Sequence, residues 1–195
     1  VDYRSWLERH NVDCESVHVS DSKHTARFVC TNDASMAQIA SFYPGAMSEA
    51  REIELKPIAD RVGVPSYVLV GPDDPEAMLR HTEECRQRGY RFLADPSQQL
   101  AFGDGELIRP LIDGADILFS NEYEASLITQ KTGWSRDEVL ARVGTWVVTL
   151  GAAVSRDRIP VRIRLHARLR SSPMGSEPSL AGSIRSRRTS RPCPT

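Results

Sequence analysis

The chain has 195 residues, 40% of them apolar, which suits one globular domain with a sizeable core and excludes a chain that is disordered over most of its length. Its four cysteines form no Cys-x-x-Cys pair, and neither a signal peptide nor an apolar run of 18 residues occurs, which predicts a reduced, soluble, cytoplasmic protein without a membrane span. The formal net charge of −1 divides unevenly: residues 155–195 hold ten Arg against two acidic residues, a net +8, so residues 1–154 carry −9.

The first 20 residues predict a short helix followed by a strand. Residues 2–10 show a helical spacing of apolar positions that Asn11 ends, and Glu15–Val19 places Val17 and Val19 on one face of a strand. Because the sequence begins with Val inside a helical pattern, we expect a fragment or a late start.

The next segment predicts a β-hairpin. Two runs, Thr25–Thr31 and Met36–Tyr43, flank the polar turn Asn32-Asp33, and Pro44-Gly45 closes the second run. Short antiparallel strands ahead of a βα region would form a small addition to the main fold, either a lid or a dimer edge.

From Tyr67 onward the sequence alternates regularly between strands and helices. Asp74 and Pro75 mark a helix start, Gly89 marks its end, and Ser135 with Glu138 is the signature of a capping box. The four predicted strands cover residues 67–70, 91–94, 116–119 and 145–150. Strands about 25–30 residues apart with one helix between them form βαβ units, so we predict an α/β fold with a parallel central sheet flanked by helices.

Polar residues follow three of these strands. Asp95 to Gln99 follows the second strand, Asn121 the third, and Gly151 the fourth. Ligands of parallel α/β sheets bind beyond the carboxyl ends of the strands. We therefore expect these residues to share one edge of the sheet and to form the binding site.

Asn121 and Glu124 at the predicted start of a helix have two interpretations. A helix N-terminus presents unpaired N–H groups and partial positive charge, so a carboxamide and a carboxylate there can organise phosphate and its Mg²⁺. The same two residues also fit an ordinary N-cap with a glutamate at the third helical position. The four-residue pattern alone favours capping.

After Val154 the apolar periodicity ends. Residues 155–195 are rich in Arg, Pro and Ser and cannot bury enough apolar surface to offset ordering, so we predict a disordered tail. A basic tail invites a nucleic-acid function, but no aromatic residue accompanies the arginines to stack on bases. We predict neither a nucleic-acid nor a membrane partner.

The assembled pattern resembles the ribokinase-type (PfkB) family of sugar and nucleoside kinases, and within that family actinobacterial adenosine kinase. The resemblance covers residues 1–151 and rests on the aromatic hairpin, Asp95-Pro96-Ser97, the Gln98-Gln99 pair, Asn121 to Glu124, and Val148 to Gly151. It implies a ribokinase-like fold with a small β lid, ATP and Mg²⁺ as cofactors, and a nucleoside or sugar substrate. It also implies a possible homodimer through the lid in an intact relative.

The resemblance also implies roles for particular residues. Glu124 would help to hold Mg²⁺ through water, Asn121 would lie near the phosphates, and Thr149 with Gly151 would open the nucleotide site. Phe28 and Phe42 would sandwich the adenine of adenosine, and the pair Gln98 and Gln99 would lie beside the nucleoside. From the residues alone, the two Phe also fit hairpin core positions and the two Gln a solvated loop.

The sequence departs from the family pattern at both ends. Glycine-rich substrate motifs normally precede the point where this sequence begins, and no Gly-Ala-Gly-Asp segment, which carries the family's anion hole and catalytic aspartate, follows Val154. We therefore expect a partial kinase domain in residues 1–154, with lid strands within about residues 15–45, and an out-of-frame tail in residues 155–195. We assign no catalytic residue and expect an adenosine kinase that is catalytically incomplete, with a ribokinase-like sugar kinase or a non-catalytic nucleotide-binding remnant as alternatives.

Overall fold

In the computed structural model, residues 3–34, 38–149 and 163–167 are described, the last five as backbone only. A short helix, α1 (Tyr3–Arg9), precedes a two-stranded antiparallel hairpin of β1 (Arg27–Asn32) and β2 (Gln38–Tyr43). The helix and the hairpin confirm the predicted elements. Of the predicted second hairpin run, Met36 and Ala37 lie outside the described residues.

Within the described residues, the central sheet contains five strands that lie side by side in chain order. They are β3 (Val68–Val70), β4 (Phe92–Ala94), β5 (Ile117–Asn121), β6 (Thr145–Thr149) and β7 (Ile163–Ala167). The first four pair in parallel, as the sequence predicts, and the fifth pairs antiparallel to β6. The carboxyl ends of β3 to β6 therefore meet at one edge of the sheet.

Helices precede and connect the parallel strands and supply most of the remaining core. They are α2 (Leu55–Val62), α3 (Pro75–Arg88), α4 (Gln99–Phe102), α5 (Gly105–Ile112), α6 (Glu122–Thr132) and α7 (Arg136–Arg142). A 3₁₀ helix, Gly45–Glu52, joins the hairpin to α2. Helix α3 packs on α5, and α5 packs on α6. Within the described part of the chain, no helix is both long and apolar enough to cross a membrane.

The sequence signals at helix ends explain where these helices begin and end. The Asp74 carboxylate accepts hydrogen bonds from the N–H groups of Glu76 and Ala77, and Gly89 ends α3 with a left-handed φ of 69°. Ser135 caps α7 in a reciprocal capping box with Glu138. These local contacts satisfy backbone groups that the helix cannot pair internally, which is why short sequence patterns predict them.

The core lies between the sheet and its helices. Trp146 on β6 is fully buried, and its indole Nε1 donates a 3.0 Å hydrogen bond to the Ser120 hydroxyl on β5. The predicted inner stripe of α3, formed by Met78, Thr82 and Cys85, is also buried. This core fixes the sheet edge from which the loops of the candidate site extend.

Two predictions about secondary structure differ from the structure. Residues 15–19 form no strand; instead, the Arg61 guanidinium contacts the carboxylates of Asp13 and Glu15, which holds this segment against α2. Strand β7 falls within the segment predicted to be a disordered tail. Its residues alternate between apolar and polar types, a pattern that suits pairing with the otherwise open edge of β6. The rest of residues 150–195 lies outside the described residues.

Gly45 joins the base of the hairpin to the preceding segment. Its φ is +50°, and a Cβ added there would lie 2.1 Å from the carbonyl oxygen of His24, which itself accepts a hydrogen bond from the Ala46 N–H at 2.9 Å. We expect Gly45→Ala to lower the free energy of unfolding by roughly 2 kcal/mol, since left-handed backbone costs about 1–2 kcal/mol and the clash adds to it.

Chemical denaturation would measure this loss. Gly89→Ala is the matched control, because Gly89 has φ +69° with no atom within 4 Å of the added Cβ. The control isolates the cost of the backbone conformation. Equal losses for the two variants would show that contact with His24 contributes nothing.

Candidate functional site

A cavity of about 490 Å³ lies between the hairpin and the loops that follow β3 and β4. Most of its walls are apolar, and two carboxamides supply the polar groups. The lining residues are Ala26, Phe28, Ala40, Phe42, Met47, Pro72, Gln98, Gln99 and Phe102. The volume and the mixture of apolar walls with a few polar groups are typical of a small-molecule site. All four residues predicted to contact substrate therefore line one cavity.

Phe28 and Phe42 form a single aromatic wall of this cavity. They are direct cross-strand partners in the hairpin, so their side chains lie next to each other on the same face. Their exposed fractions of 62% and 55% show that neither is a core residue of the hairpin. This register differs from the expected sandwich with one ring on each side of a base. A flat ligand would instead stack against the wall.

Phe102, which the sequence analysis did not single out, adds a third aromatic ring to the lining. It ends the short helix α4 and is 86% exposed. An apolar ring this exposed gains the most when a ligand covers it. Its position three residues after Gln99 on a helix was the available signal, because that spacing places both on one face.

Gln99 links the cavity to the loop after β3. Its side-chain Nε2 donates a 2.8 Å hydrogen bond to the backbone carbonyl of Asp73. Its backbone N–H donates to Pro96 and its carbonyl accepts from Gly103, so its main chain is also fixed. Gln98, by contrast, is exposed.

At the start of α6, the structure shows that Asn121 and Glu124 form a capping box. The Glu124 N–H donates to the Asn121 Oδ1 at 2.8 Å, and the Asn121 N–H donates to the Glu124 Oε2 at 2.7 Å. Among the described residues, Glu124 Oε1 receives one long contact, of 3.5 Å, from the Ser97 hydroxyl. The capping interpretation is therefore confirmed, and one carboxylate oxygen remains weakly engaged on the side of the loop after β4.

The predicted sheet edge brings the other polar residues together. Asn121 pairs with Thr149 at the carboxyl ends of β5 and β6, and the Thr149 hydroxyl donates to the Ser120 carbonyl at 3.4 Å. The contact between Ser97 and Glu124 connects this edge to the loop that carries Gln99. Gly151, predicted to open the nucleotide site, lies outside the described residues.

Two aspartates beside the site are perturbed by burial. Burial raises the pKa of the Asp95 carboxyl above its ordinary value, and the Glu124 carboxylate raises it further. Burial also raises the pKa of Asp73, although a hydrogen bond from the Asp74 N–H opposes this. Burial is the larger cause of the raised Asp95 pKa, and the Glu124 charge is the smaller one, which a cation bound at this edge would offset.

We expect Asp95→Asn to stabilise the chain at neutral pH. The folded chain holds the Asp95 proton more tightly than the unfolded chain, so wild-type stability rises as the pH falls through the folded-state pKa. The advantage of the variant should therefore shrink as the pH falls toward the ordinary aspartate pKa of about 3.9.

Thermal melts of both proteins between neutral and acidic pH would measure this difference. Asp21→Asn, at an exposed position, is the control for loss of a surface charge. A difference between wild type and Asp95→Asn that stays constant with pH would contradict the expectation.

A parallel sheet with an antiparallel hairpin beside its carboxyl edge, and an aromatic cavity between them, is the arrangement of a ribokinase-like fold. The sequence pattern of the pfkB family of carbohydrate kinases matches residues 1–154. The chain therefore belongs to the pfkB family of carbohydrate kinases.

Similar proteins include nucleoside kinases. The structure of a Burkholderia thailandensis nucleoside kinase in complex with inosine is 33% identical, with a TM-score of 0.70, and the match covers 82% of this chain and 53% of that chain. The same protein in complex with ADP-inosine is 32% identical, with a TM-score of 0.72, covering 85% of this chain and 48% of that one. A Methanocaldococcus jannaschii nucleoside kinase is 23% identical over 153 residues, which are 77% of this chain and 48% of that protein. This chain spans about half the length of these relatives.

Proposed function

We propose that this chain carries the nucleoside-binding and phosphate-binding edge of an ATP- and Mg²⁺-dependent kinase that converts adenosine to AMP. The observation that carries the proposal is the cavity beneath the hairpin, in which exposed phenylalanines face two carboxamides. An aromatic wall suits a flat base through π-stacking, whereas a free sugar has no π system and can pack only C–H groups against it. Two similar structures hold inosine and ADP-inosine, which agrees with a purine nucleoside.

The sheet edge supplies groups suited to phosphates and their cation. Helix α6 presents backbone N–H groups at its start, where Asn121 would lie near the phosphates and Thr149 with Gly151 near the nucleotide. Glu124 Oε1 fits a water-mediated contact to Mg²⁺, which prefers oxygen ligands and retains several waters. Mg²⁺, when bound, would neutralise part of the negative charge of the phosphates. Among the described residues, no three His, Cys, Asp or Glu side chains cluster as direct metal ligands, which suits a single carboxylate acting through water.

The same proposal predicts binding with little turnover. The sequence lacks a Gly-Ala-Gly-Asp segment, so neither a general base nor an anion hole has a candidate in it. Loss of a general base alone costs about 10²–10⁴-fold in rate. Asp95 follows β4 and lies beside Glu124, so we assign it no proton-accepting role.

Calorimetric titration with adenosine, ribose and Mg·ATP, followed by a phosphoryl-transfer assay, tests the proposal. We expect adenosine and Mg·ATP to bind, ribose to bind at least ten-fold more weakly because it cannot stack, and turnover to be undetectable. Tighter binding of ribose than of adenosine would favour a sugar kinase. If Mg·ATP binds but neither adenosine nor ribose binds detectably, the result would favour a non-catalytic nucleotide-binding module.

We also propose that the outer face of the hairpin mediates a homodimer. Val29, Ile39 and Tyr43 lie on the face opposite Phe28 and Phe42, and all three are exposed. Light scattering should show a dimer that Ile39→Lys dissociates, because a charge would be buried in an apolar interface. A monomeric wild-type chain would exclude this assembly.

A further inference from the structure

A second cavity, of about 380 Å³, lies between the segment that precedes the hairpin and the start of α2. We call it the acidic groove. Its lining includes the apolar side chains of Val17, Ile53 and Ile58 and the carboxylates of Glu15, Glu52 and Glu54. None of its lining residues lines the cavity beneath the hairpin. Apolar walls with a negative rim suit a ligand that carries both apolar groups and positive charge.

Two carboxylates of the acidic groove are available to such a ligand. Glu52 and Glu54 are exposed, and neither forms an ion pair within the part of the chain that the structure describes. The basic side chains beside the groove already have carboxylate partners: Arg61 contacts Glu15, and His18 contacts Glu49. The negative charge of Glu52 and Glu54 is therefore not neutralised locally.

The neighbouring acidic side chains of α3 are different. Glu83 and Glu84 line a pocket next to the acidic groove, but they form ion pairs with Arg86 and Arg88 on the same helix. A cationic ligand would have to compete with these arginines along α3. It therefore gains more at the acidic groove.

We infer that the carboxyl-terminal segment of this chain, residues 181–195, docks in the acidic groove. The segment contains no acidic residue, and its basic residues are Arg185, Arg187, Arg188 and Arg191. Their charges complement those of Glu52 and Glu54, and Ile184 ahead of them suits the apolar walls. The inference is independent of the proposed function, because no residue of the cavity beneath the hairpin takes part in it.

The segment is long enough to reach the groove from the end of β7. Ala167 pairs with Thr145 at the start of β6, so the chain leaves the sheet at its amino edge. Strands β7 and β3 are the outer strands, about 19 Å apart at about 4.8 Å per strand spacing, and α2 leads into β3. Residues 168–183 span roughly 50 Å when extended, which suffices to pass around the sheet and its helices.

Limited proteolysis of the full 195-residue chain with trypsin tests this inference. Trypsin cleaves after arginine in unbound, extended segments, so docking should slow release of the fragments that end at Arg185 to Arg191. An isotope-labelled peptide of residues 181–195, added in trace amount, reports the intrinsic rate in the same solution. We expect the segment to be cleaved at least about five-fold more slowly than the peptide at low salt, because several exposed ion pairs act together. In 1 M NaCl, where the screening length is about 3 Å, the difference should fall below about two-fold.

A double substitution locates the contact. Glu52→Gln with Glu54→Gln removes two charges at constant side-chain size, and we expect it to reduce the low-salt protection below about two-fold. Asp113→Asn with Asp137→Asn is the matched control, because it removes the same charge at exposed positions outside the groove and should keep the wild-type protection. Circular dichroism melts verify that both variants fold.

Three results would overturn the inference. The first is equal cleavage of the segment and the peptide in the wild-type chain at low salt. The second is equal loss of protection in the two double variants, which would show attraction to the whole acidic body instead of docking in the groove. The third is protection that rises with protein concentration, which would place the segment on another molecule. Adenosine enters none of these measurements, so failure of the proposed function would leave them unchanged.

Discussion

Replacing Phe28 or Phe42 with alanine should weaken adenosine binding by about 10–100-fold, because stacking on an aromatic side chain contributes roughly 1–3 kcal/mol per base. Both rings are more than half exposed, so each variant should lose little stability. The substitutions would therefore change ligand binding in the cavity rather than packing in the core. Calorimetric titration with adenosine and a thermal melt of each variant measure the two quantities separately.

The stability measurement discriminates between a binding role and a structural role for these rings. A buried aromatic residue replaced by alanine costs about 3–5 kcal/mol, as we would expect for Trp146. Tyr3→Ala removes an exposed aromatic ring from α1, away from the cavity, and should leave adenosine affinity unchanged. If Phe28→Ala or Phe42→Ala loses much stability but keeps its adenosine affinity, the residue replaced in that variant has a structural role instead of a binding role.

Glu124→Gln should lower the Mg²⁺-dependent part of ATP affinity by at least about ten-fold while leaving the fold intact. Glutamine also suits the third position of a capping box, so the cap on α6 survives the substitution. The substitution removes the negative charge that would attract hydrated Mg²⁺. Titration with ATP in the presence and absence of Mg²⁺ isolates that contribution.

The chain contains a matched control for this substitution. Glu138 occupies the third position of α7 in a second capping box, with Ser135 as its N-cap, but it lies away from the sheet edge that carries Asn121 and Thr149. Glu138→Gln should therefore leave ATP affinity unchanged. If the two variants behave alike toward Mg·ATP, Glu124 is only a capping residue.

Local sequence signals predicted the parts of the fold that depend on local contacts. Asp74 with Pro75, and Ser135 with Glu138, mark helix starts because their side chains satisfy N–H groups two or three residues away. Alternation of strands and helices predicted the parallel sheet, and the right-handed geometry of βαβ units placed Asn121 beside Thr149.

Contacts between distant segments were not predictable in the same way. The segment at residues 15–19 has a strand-like alternation, yet it forms no strand, and the Glu15 and Ser16 side chains instead contact Arg61, more than 40 residues away. The side-by-side arrangement of Phe28 and Phe42 depends on the hairpin register. The alternation of the sequence alone does not fix that register to within one residue.

The candidate site shows the same difference between features that local sequence predicts and features that depend on distant contacts. The resemblance to a kinase family supplied Gln98 and Gln99 as a pair, but only the structure shows that Gln99 is anchored to Asp73 and that Phe102 joins the lining. An amide orientation depends on a partner 26 residues away, so no pattern near Gln99 encodes it. The sequence placed Asp95 at the expected binding edge, but only the structure shows its burial and its proximity to Glu124.

A crystal structure of the chain grown with adenosine would test the central claim most directly. We predict the base against the wall of Phe28 and Phe42, beside Gln99, with the 5′ hydroxyl directed to the edge that carries Asn121. An adenosine molecule bound elsewhere, with the cavity beneath the hairpin free of nucleoside at saturating concentration, would contradict the claim.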